Sequence, residues 1–472
     1  MTRDHQGQPD SGRITLCRLT SVKLPMSPAS GATNELSISE LHATKLSRQG
    51  ILHLMLWAAV LLVVLQYCFV APLAGAHANE NKDFSHLWLG GRMIATGHAA
   101  KLYDPIAQER AYRDADPTGR GPAIWLDRNR LVGGFFYPPP MALAYSTLAW
   151  LPMSTAAIVL AYANIVLGLL LAWLVARWLG HSASTAAVAL AILAYPAYFV
   201  TVALGQNSVM TMGVILVAWM LCDRRRDFVA GLVLGLLICK PNWLVAIGWI
   251  PLVHGRWRLM AGMVCGGAGI ALGTVLITGT QPFLDYLQVV RVLTGLHEMQ
   301  GYNLALTYNG LSVFRKILGV GGLADLLGWC GSLIMILATW RISRGAWQPG
   351  TARFKWLMGC GLSAALWVNP HLFYYDLTLI SICVVLMAST WHELTGWARL
   401  WTTALIVSTY LAIPLDQMSP WAGMLPIPSL TTLAIWAWFC CRITTSYGTS
   451  ASYTDRALRD VIGNKFAGFV SK

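Results

Sequence analysis

Charge is what this sequence has least of. Only 12% of its 472 residues are Asp, Glu, Lys or Arg, while 56% are hydrophobic; soluble domains carry roughly 25% charge. That imbalance excludes a water-soluble globular domain. No stretch alternates apolar and polar residues as a β-barrel wall would. The ten cysteines form no CxxC pair and no Cys/His cluster. Seven of them (Cys68, Cys222, Cys239, Cys265, Cys330, Cys360, Cys383) sit inside apolar runs, so neither disulfides nor zinc are expected. Gly-rich phosphate loops of the Walker or Rossmann type are missing, and neither a cofactor nor a metal is expected. There is also no internal repeat, which weighs against a transporter built from duplicated halves.

What the chain does contain is a series of apolar runs of about 15 to 22 residues, the length a helix needs to cross a hydrocarbon layer about 30 Å thick. The expected fold class is therefore an all-α integral membrane protein, a polytopic helical bundle of about 12 transmembrane helices. The formal charge of +13 comes from basic clusters at the ends of these runs. They read as orientation signals facing anionic lipid rather than as a nucleic-acid surface.

The chain divides accordingly. Residues 1–50 are polar and read as a disordered cytoplasmic tail, residues 51–442 as the membrane domain and residues 443–472 as a cytoplasmic C-terminal tail. Arg3, Arg13, Arg18, Lys23, Lys45 and Arg48 put the N-terminus inside, so the first loop, residues 71–137, falls outside. Two amphipathic helices are expected in it, one carrying Phe84, Leu87, Trp88, Met93 and Ile94 and one starting after Asp104-Pro105, both lying along the membrane surface. The apolar piece from Pro138 to Leu151 spans about 20 Å, too short to cross. Read as re-entrant or interfacial, it keeps Arg224-Arg225-Arg226 and every later basic cluster inside. A second outer loop is expected at residues 279–322.

Phe228 to Cys239 and Trp243 to Val253 are each about a dozen residues, joined by Lys240-Pro241-Asn242 and flanked by basic clusters on the same side. Two such helices, each rising about 18 Å, leave Lys240 at membrane depth, where a lysine is costly unless it lines a wet cavity or meets an anion.

The outer face then collects Asp83, Arg92, Gln206, Asn207, Lys240, Asn309, His371, Tyr375 and Asp376. A reaction on that face needs an activated substrate delivered through the membrane, and a sugar linked to a lipid phosphate fits. Its leaving group is already a good anion, so one carboxylate to take the acceptor proton and cations to hold the phosphate suffice. Asp83 meets the first need; Lys240, His371 and Arg92 meet the second. Each also has a plain structural reading: Asp83 as a helix cap, Lys240 snorkelling to the interface, His371 at a helix start, Gln206 and Asn207 capping a span. Asp114-Ala-Asp116 is similar to a metal-binding DxD but reads better as a polar loop.

The order of span, outward Asp-aromatic, Gly91, Gly97 and Leu102-Tyr103, Tyr137-Pro138-Pro139-Pro140, Gly205-Gln206-Asn207, a Lys240-Pro241 tip and a late Pro370-His371…Asp376 resembles glycosyltransferase family 87. The resemblance covers about Ile51 to Trp391. It implies a GT-C fold and an inverting transfer of mannose or another hexose from a polyprenyl-phosphate donor to a glycan or glycolipid acceptor, in a bacterial inner membrane with the site facing the periplasm. It also implies Asp83 as general base, and donor contacts from later outer residues such as Lys240 and His371. A lipid-linked-sugar transporter and a polysaccharide polymerase or ligase remain the competing readings.

Overall fold

The computed structural model describes residues 48–76, 82–115, 125–127, 130–132, 134–180, 184–293, 304–418 and 424–446. Most of both expected tails, part of the second loop and Asp116 of the DxD-like pair lie outside the described residues.

The chain is helical, as its apolar runs require. In order, the helices are α1 (Arg48–Ala76), α2 (Lys82–Ala95), α3 (Pro105–Ala115), α4 (Pro139–Ser146), α5 (Met153–Leu179), α6 (Thr185–Leu193), α7 (Pro196–Ala203), α8 (Ser208–Asp223) and α9 (Asp227–Gly235). They continue with α10 (Pro241–Val253), α11 (Trp257–Thr278), α12 (Gln281–Leu293), α13 (Gly310–Leu318), α14 (Gly322–Ser343), α15 (Ala352–Val368), α16 (Ile380–Ser389), α17 (Gly396–Met418) and α18 (Ile427–Ser446). Among the described residues the only sheet is an antiparallel pair, β1 (Trp125–Asp127) with β2 (Arg130–Val132).

Six helices, α1, α5, α11, α14, α17 and α18, are long and apolar enough to cross a membrane. The bent pair α6 and α7, which turns by 64° ahead of Pro196, makes a seventh if counted as one span. This is a multi-pass membrane protein. The piece from Pro138 to Leu151 is an eight-residue helix, α4, followed by a 3₁₀ turn, Leu148–Trp150, and is too short to cross.

Both helices expected in the first loop are present as α2 and α3, but α2 does not lie on a surface. Phe84, Leu87, Trp88, Leu89 and Met93 are all buried, each contributing about 1.5–3 kcal/mol by leaving water, and the Trp88 indole N–H donates to the Leu151 carbonyl at 3.2 Å. The reason is that neighbouring segments cover the helix on more than one side. A β-carbon at Gly91, on the same face as Leu87 and Trp88, would stand 2.5 Å from the Tyr145 carbonyl oxygen, so α4 packs on the apolar face, while one at Gly90, about 100° further round, would stand 2.3 Å from the Phe135 ring.

A second close approach fixes α9, the helix that leads to Lys240. Gly231 and Gly235 of α9 face Gly262 and Gly266 of α11, four residues apart on each helix, the small-residue spacing that lets membrane helices touch backbone to backbone. A β-carbon at Gly262 would lie 2.2 Å from the Phe228 carbonyl oxygen, and one at Gly231 2.2 Å from that of Leu259. Both obstacles are backbone, so even Gly262→Ala is expected to force the pair apart. That costs at least the roughly 1–3 kcal/mol typical of overpacking and lowers the melting midpoint of the purified protein. An unchanged midpoint would show that the contact is dispensable.

Candidate active site

Five chain segments converge on Asp83. The carboxylate sits in the first turn of α2, partly buried. Against that turn lies the Gly205-Gln206-Asn207 loop between α7 and α8. Gly205 has φ of +63°, and a β-carbon there would meet the Phe84 side chain at 2.9 Å, so left-handed backbone and close contact both call for glycine. The loop thereby brings Gln206, fully buried, to the carboxylate.

The third segment is the helix break at Lys240. After Gly235 the chain tightens into a 3₁₀ turn, Leu236–Cys239, and Pro241 opens α10. A residue before proline is pushed out of the helical region, and Lys240 has φ −140° and ψ 72°. This turns its side chain inward, where Nζ donates to Asp376 Oδ1 at 2.5 Å. The same oxygen accepts the Ser208 hydroxyl at 2.6 Å, and Asp376 and Lys240 are 1% and 8% exposed.

The fourth segment is Asn369 to Asp376. Pro370 ends α15, Asn369 turns extended, and the chain restarts as a 3₁₀ turn, Tyr374–Leu379. Asn242, two residues beyond Lys240, ties the two segments together by donating to Asn369 Oδ1 at 3.2 Å and to the His371 carbonyl at 3.0 Å. The Thr201 hydroxyl of α7 donates to the Tyr375 carbonyl at 3.1 Å. The fifth is the Tyr137 corner, whose phenol lies within electrostatic reach of Asp83 and Gln206.

The electrostatics follow from this packing. Burial pushes the Asp83 carboxyl above its ordinary 3.8, opposed by the Gln206 amide and the Lys240 ammonium, while Asp376 adds to the rise. Although Gln206 influences Asp83, neither of its amide atoms completes a hydrogen bond, and Asn207 Oδ1 and Asn369 Nδ2 are likewise buried without a partner. A buried polar atom left so costs about 1–3 kcal/mol. Several around one carboxylate suit a polyhydroxylated ligand better than a finished core.

Of the residues singled out in the sequence, Asp83, Gln206, Lys240, Tyr375 and Asp376 come together. Asn207 adjoins them, its amide directed to the Met141 sulfur at 3.5 Å. Lys240 meets the anion its depth demanded, but the anion is Asp376. His371 stands behind aromatic rings: its imidazole meets Phe373 edge-on at 4.9 Å, Phe373 stacks on Tyr375 at 5.6 Å, and the Lys240 ammonium lies 5.6 Å from the Tyr375 ring centre. Arg92 does not join the cluster. It is nine residues from Asp83, about 14 Å along α2 and half a turn round, and it donates to the Ala149 carbonyl at 3.2 Å. Asn309 caps α13 by accepting the Ser312 amide N–H. Sequence reasoning missed Ser208, Tyr137 and Tyr374; of these only Tyr137 carried a signal, the Tyr-Pro-Pro-Pro run.

Among the described residues no group of three or more His, Cys, Asp or Glu is placed to hold a metal. An apolar recess of about 410 Å³ between α1, α6 and α17, lined by Leu56, Leu190 and Tyr410 among others, shares no residue with the Asp83 cluster.

One family model, described as Glycosyltransferase family 87, matches residues 135–370, half of the 472-residue chain. The matched stretch takes in Gln206, Asn207 and Lys240; Asp83 lies before it and His371 to Asp376 beyond it. No curated protein and no solved structure matches.

Proposed function

Since the chain belongs to glycosyltransferase family 87, we propose that it moves a hexose, mannose first among candidates, from a polyprenyl-phosphate donor to a glycan or glycolipid acceptor. The single observation that supports this most is the Asp83 carboxylate packed against the buried Gln206 amide, beside Asn207, whose Oδ1 lacks a partner. In this reading the acceptor hydroxyl attacks the anomeric carbon, the bond from that carbon to the phosphate oxygen breaks, and the lipid phosphate departs with the electron pair. Asp83 takes the hydroxyl proton as general base, and attack opposite the leaving group inverts the anomeric centre. Gln206 and Asn207 position hydroxyls of the sugar or acceptor by hydrogen bonds. Tyr375 supplies an aromatic wall.

Lys240 is assigned less to the phosphate than its sequence position suggested, because Asp376, itself bonded by the Ser208 hydroxyl, already accepts its ammonium. Its field favours ionised Asp83, and the ion pair fixes the floor of the site. His371, beyond the Phe373 ring, would contact the donor from the rim. Twelve passes follow if the shorter helices α8, α15 and α16 also traverse the bilayer and α9 and α10 enter it and return as a pair with Lys240 at membrane depth, with both termini in the cytoplasm and the Asp83 cluster facing the periplasm of a bacterial inner membrane. These elements together form the GT-C arrangement proposed for residues 51–442.

Transfer tests the reading directly. Purified protein given a synthetic polyprenyl-phosphate mannose and a panel of extracytoplasmic glycan acceptors is expected to form an inverted glycosidic product and release polyprenyl phosphate. Movement of intact lipid-linked sugar across a vesicle without bond cleavage would identify a transporter instead. Use of only diphosphate-linked donors would identify a polymerase or ligase.

A further inference from the structure

A departing lipid phosphate needs a cation, and the cluster's own lysine is occupied. Among the described residues three lysine or arginine side chains are buried, Lys240, Arg315 and Lys316, at 8%, 5% and 8% exposure. Lys240 pairs with Asp376, and Arg315 Nε lies 2.7 Å from Asp325 Oδ1. Lys316 differs. Among the described residues no carboxylate lies within 4.0 Å of its ammonium. Its contacts are the face of the Tyr308 ring, 4.1 Å away, and one long bond to the Ala305 carbonyl at 3.3 Å. The nearby carboxylate of Asp416 accepts the Tyr308 hydroxyl at 2.6 Å, and Gln417 donates to that same hydroxyl at 2.8 Å. A buried cation without an ion-pair partner is costly unless an anion joins it, and a ring face offsets only part of that cost. Burial pushes Lys316 down to about 8, with Asp416 opposing the fall.

Lys316 is also linked to the site through the residues it lies on. The Tyr308 amide donates to the Leu372 carbonyl at 3.1 Å, and Thr307 bridges Phe373. The Thr307-Tyr308 segment is thus bonded to the segment that carries His371 and Asp376. Tyr374 lies between the two groups, within electrostatic reach of Asp83 on one side and of Tyr308 on the other.

We infer that Lys316, lying on the Tyr308 ring, is the cation that receives the phosphate-ester anion of the lipid-linked donor. This rests on the donor reading above. The same chemistry occurs in the headgroup of any anionic phospholipid, so the experiment separates the two sources. Full-length protein in nanodiscs is titrated with a polyprenyl monophosphate and with the matching uncharged polyprenol, with and without phosphatidylglycerol in the disc.

The wild type is expected to bind the monophosphate about ten- to a hundredfold more tightly than the alcohol, the worth of one charge-assisted contact. Lys316→Met and Lys316→Gln are expected to remove that preference and to raise the donor KM by a similar factor with the acceptor KM unchanged. Lys316→Arg should restore most of it. Melting midpoints are measured alongside, since the neutral variants also remove the ammonium that favours the ionised, buried Asp416 carboxylate. If both keep the phosphate preference, the inference fails while the donor reading stands. If the wild type shows no preference, the donor reading fails and takes the inference with it. If phosphatidylglycerol abolishes the preference, the site is a general headgroup site and the donor assignment is wrong.

Discussion

Asp83→Asn is expected to lower glycosyl transfer by about 10²- to 10⁴-fold, the range a positioned proton acceptor supplies, while the protein remains folded and still binds donor. Asn keeps the shape and a hydrogen-bonding capacity but cannot take the acceptor proton. The pH dependence gives an independent readout. Burial raises the Asp83 carboxyl above its ordinary 3.8, so the acid limb of kcat/KM is expected above that value, activity falling as pH drops through the raised pKa. Stability runs the other way. Between 3.8 and the raised value the folded state binds the proton that the unfolded state has released, so this group's contribution to stability falls as pH rises. Asp83→Asn should therefore raise the melting midpoint at neutral pH as it abolishes turnover, the trade expected of a group held for chemistry. Full transfer by the Asn variant would remove Asp83 from the mechanism.

The second large effect concerns the ion pair beneath it. Lys240→Met strands the Asp376 carboxylate, 1% exposed, with the Ser208 hydroxyl as its remaining hydrogen-bond donor. Breaking one side of a buried pair costs about 3–5 kcal/mol, so the variant is expected to lose much of its thermal stability. Asp376→Leu is expected to do likewise by stranding Lys240. The double variant Lys240→Met/Asp376→Leu should recover most of the lost stability, because two apolar groups leave no charge unpaired; the difference between double and summed single effects measures the coupling. Turnover is not expected to recover with it. Without the Lys240 ammonium the Asp83 pKa rises further, and the acid limb should move to still higher pH. Additive single effects would show the contact to be incidental.

Both predictions turn on one lysine, and it marks how far the sequence reached. The short apolar runs flanking Lys240-Pro241-Asn242 put a cation at membrane depth and required an anion for it. Which anion was out of reach, because Asp376 is 136 residues away and its approach depends on how α7, α8 and α10 hold the 3₁₀ turn. Ser208 carried no signal for the same reason: next to Gly-Gln-Asn it reads as an ordinary helix start. Arg92 is another matter. Nine residues along a helix place a side chain half a turn away, so the sequence already argued against its joining Asp83.

The α2 helix shows the same boundary. Its apolar residues fixed its extent and pointed to a surface helix, yet Gly91 and its small neighbours admit α4, and what they admit is a tertiary fact.

The sequence by itself determined the class of protein, through scarce charge and apolar runs of crossing length. It also marked the breaks at Pro241 and Pro370, where a proline's ring acts on its immediate neighbours, whereas Pro72, Pro251 and Pro414 sit inside helices. Only the tertiary structure decided which charges meet and, among the described residues, which amide atoms stay unpaired and which buried cation has no carboxylate in contact. Those outcomes depend on distances of a few ångströms between segments far apart in the chain, set by close contacts such as that of α9 with α11 and of Gly205 with Phe84.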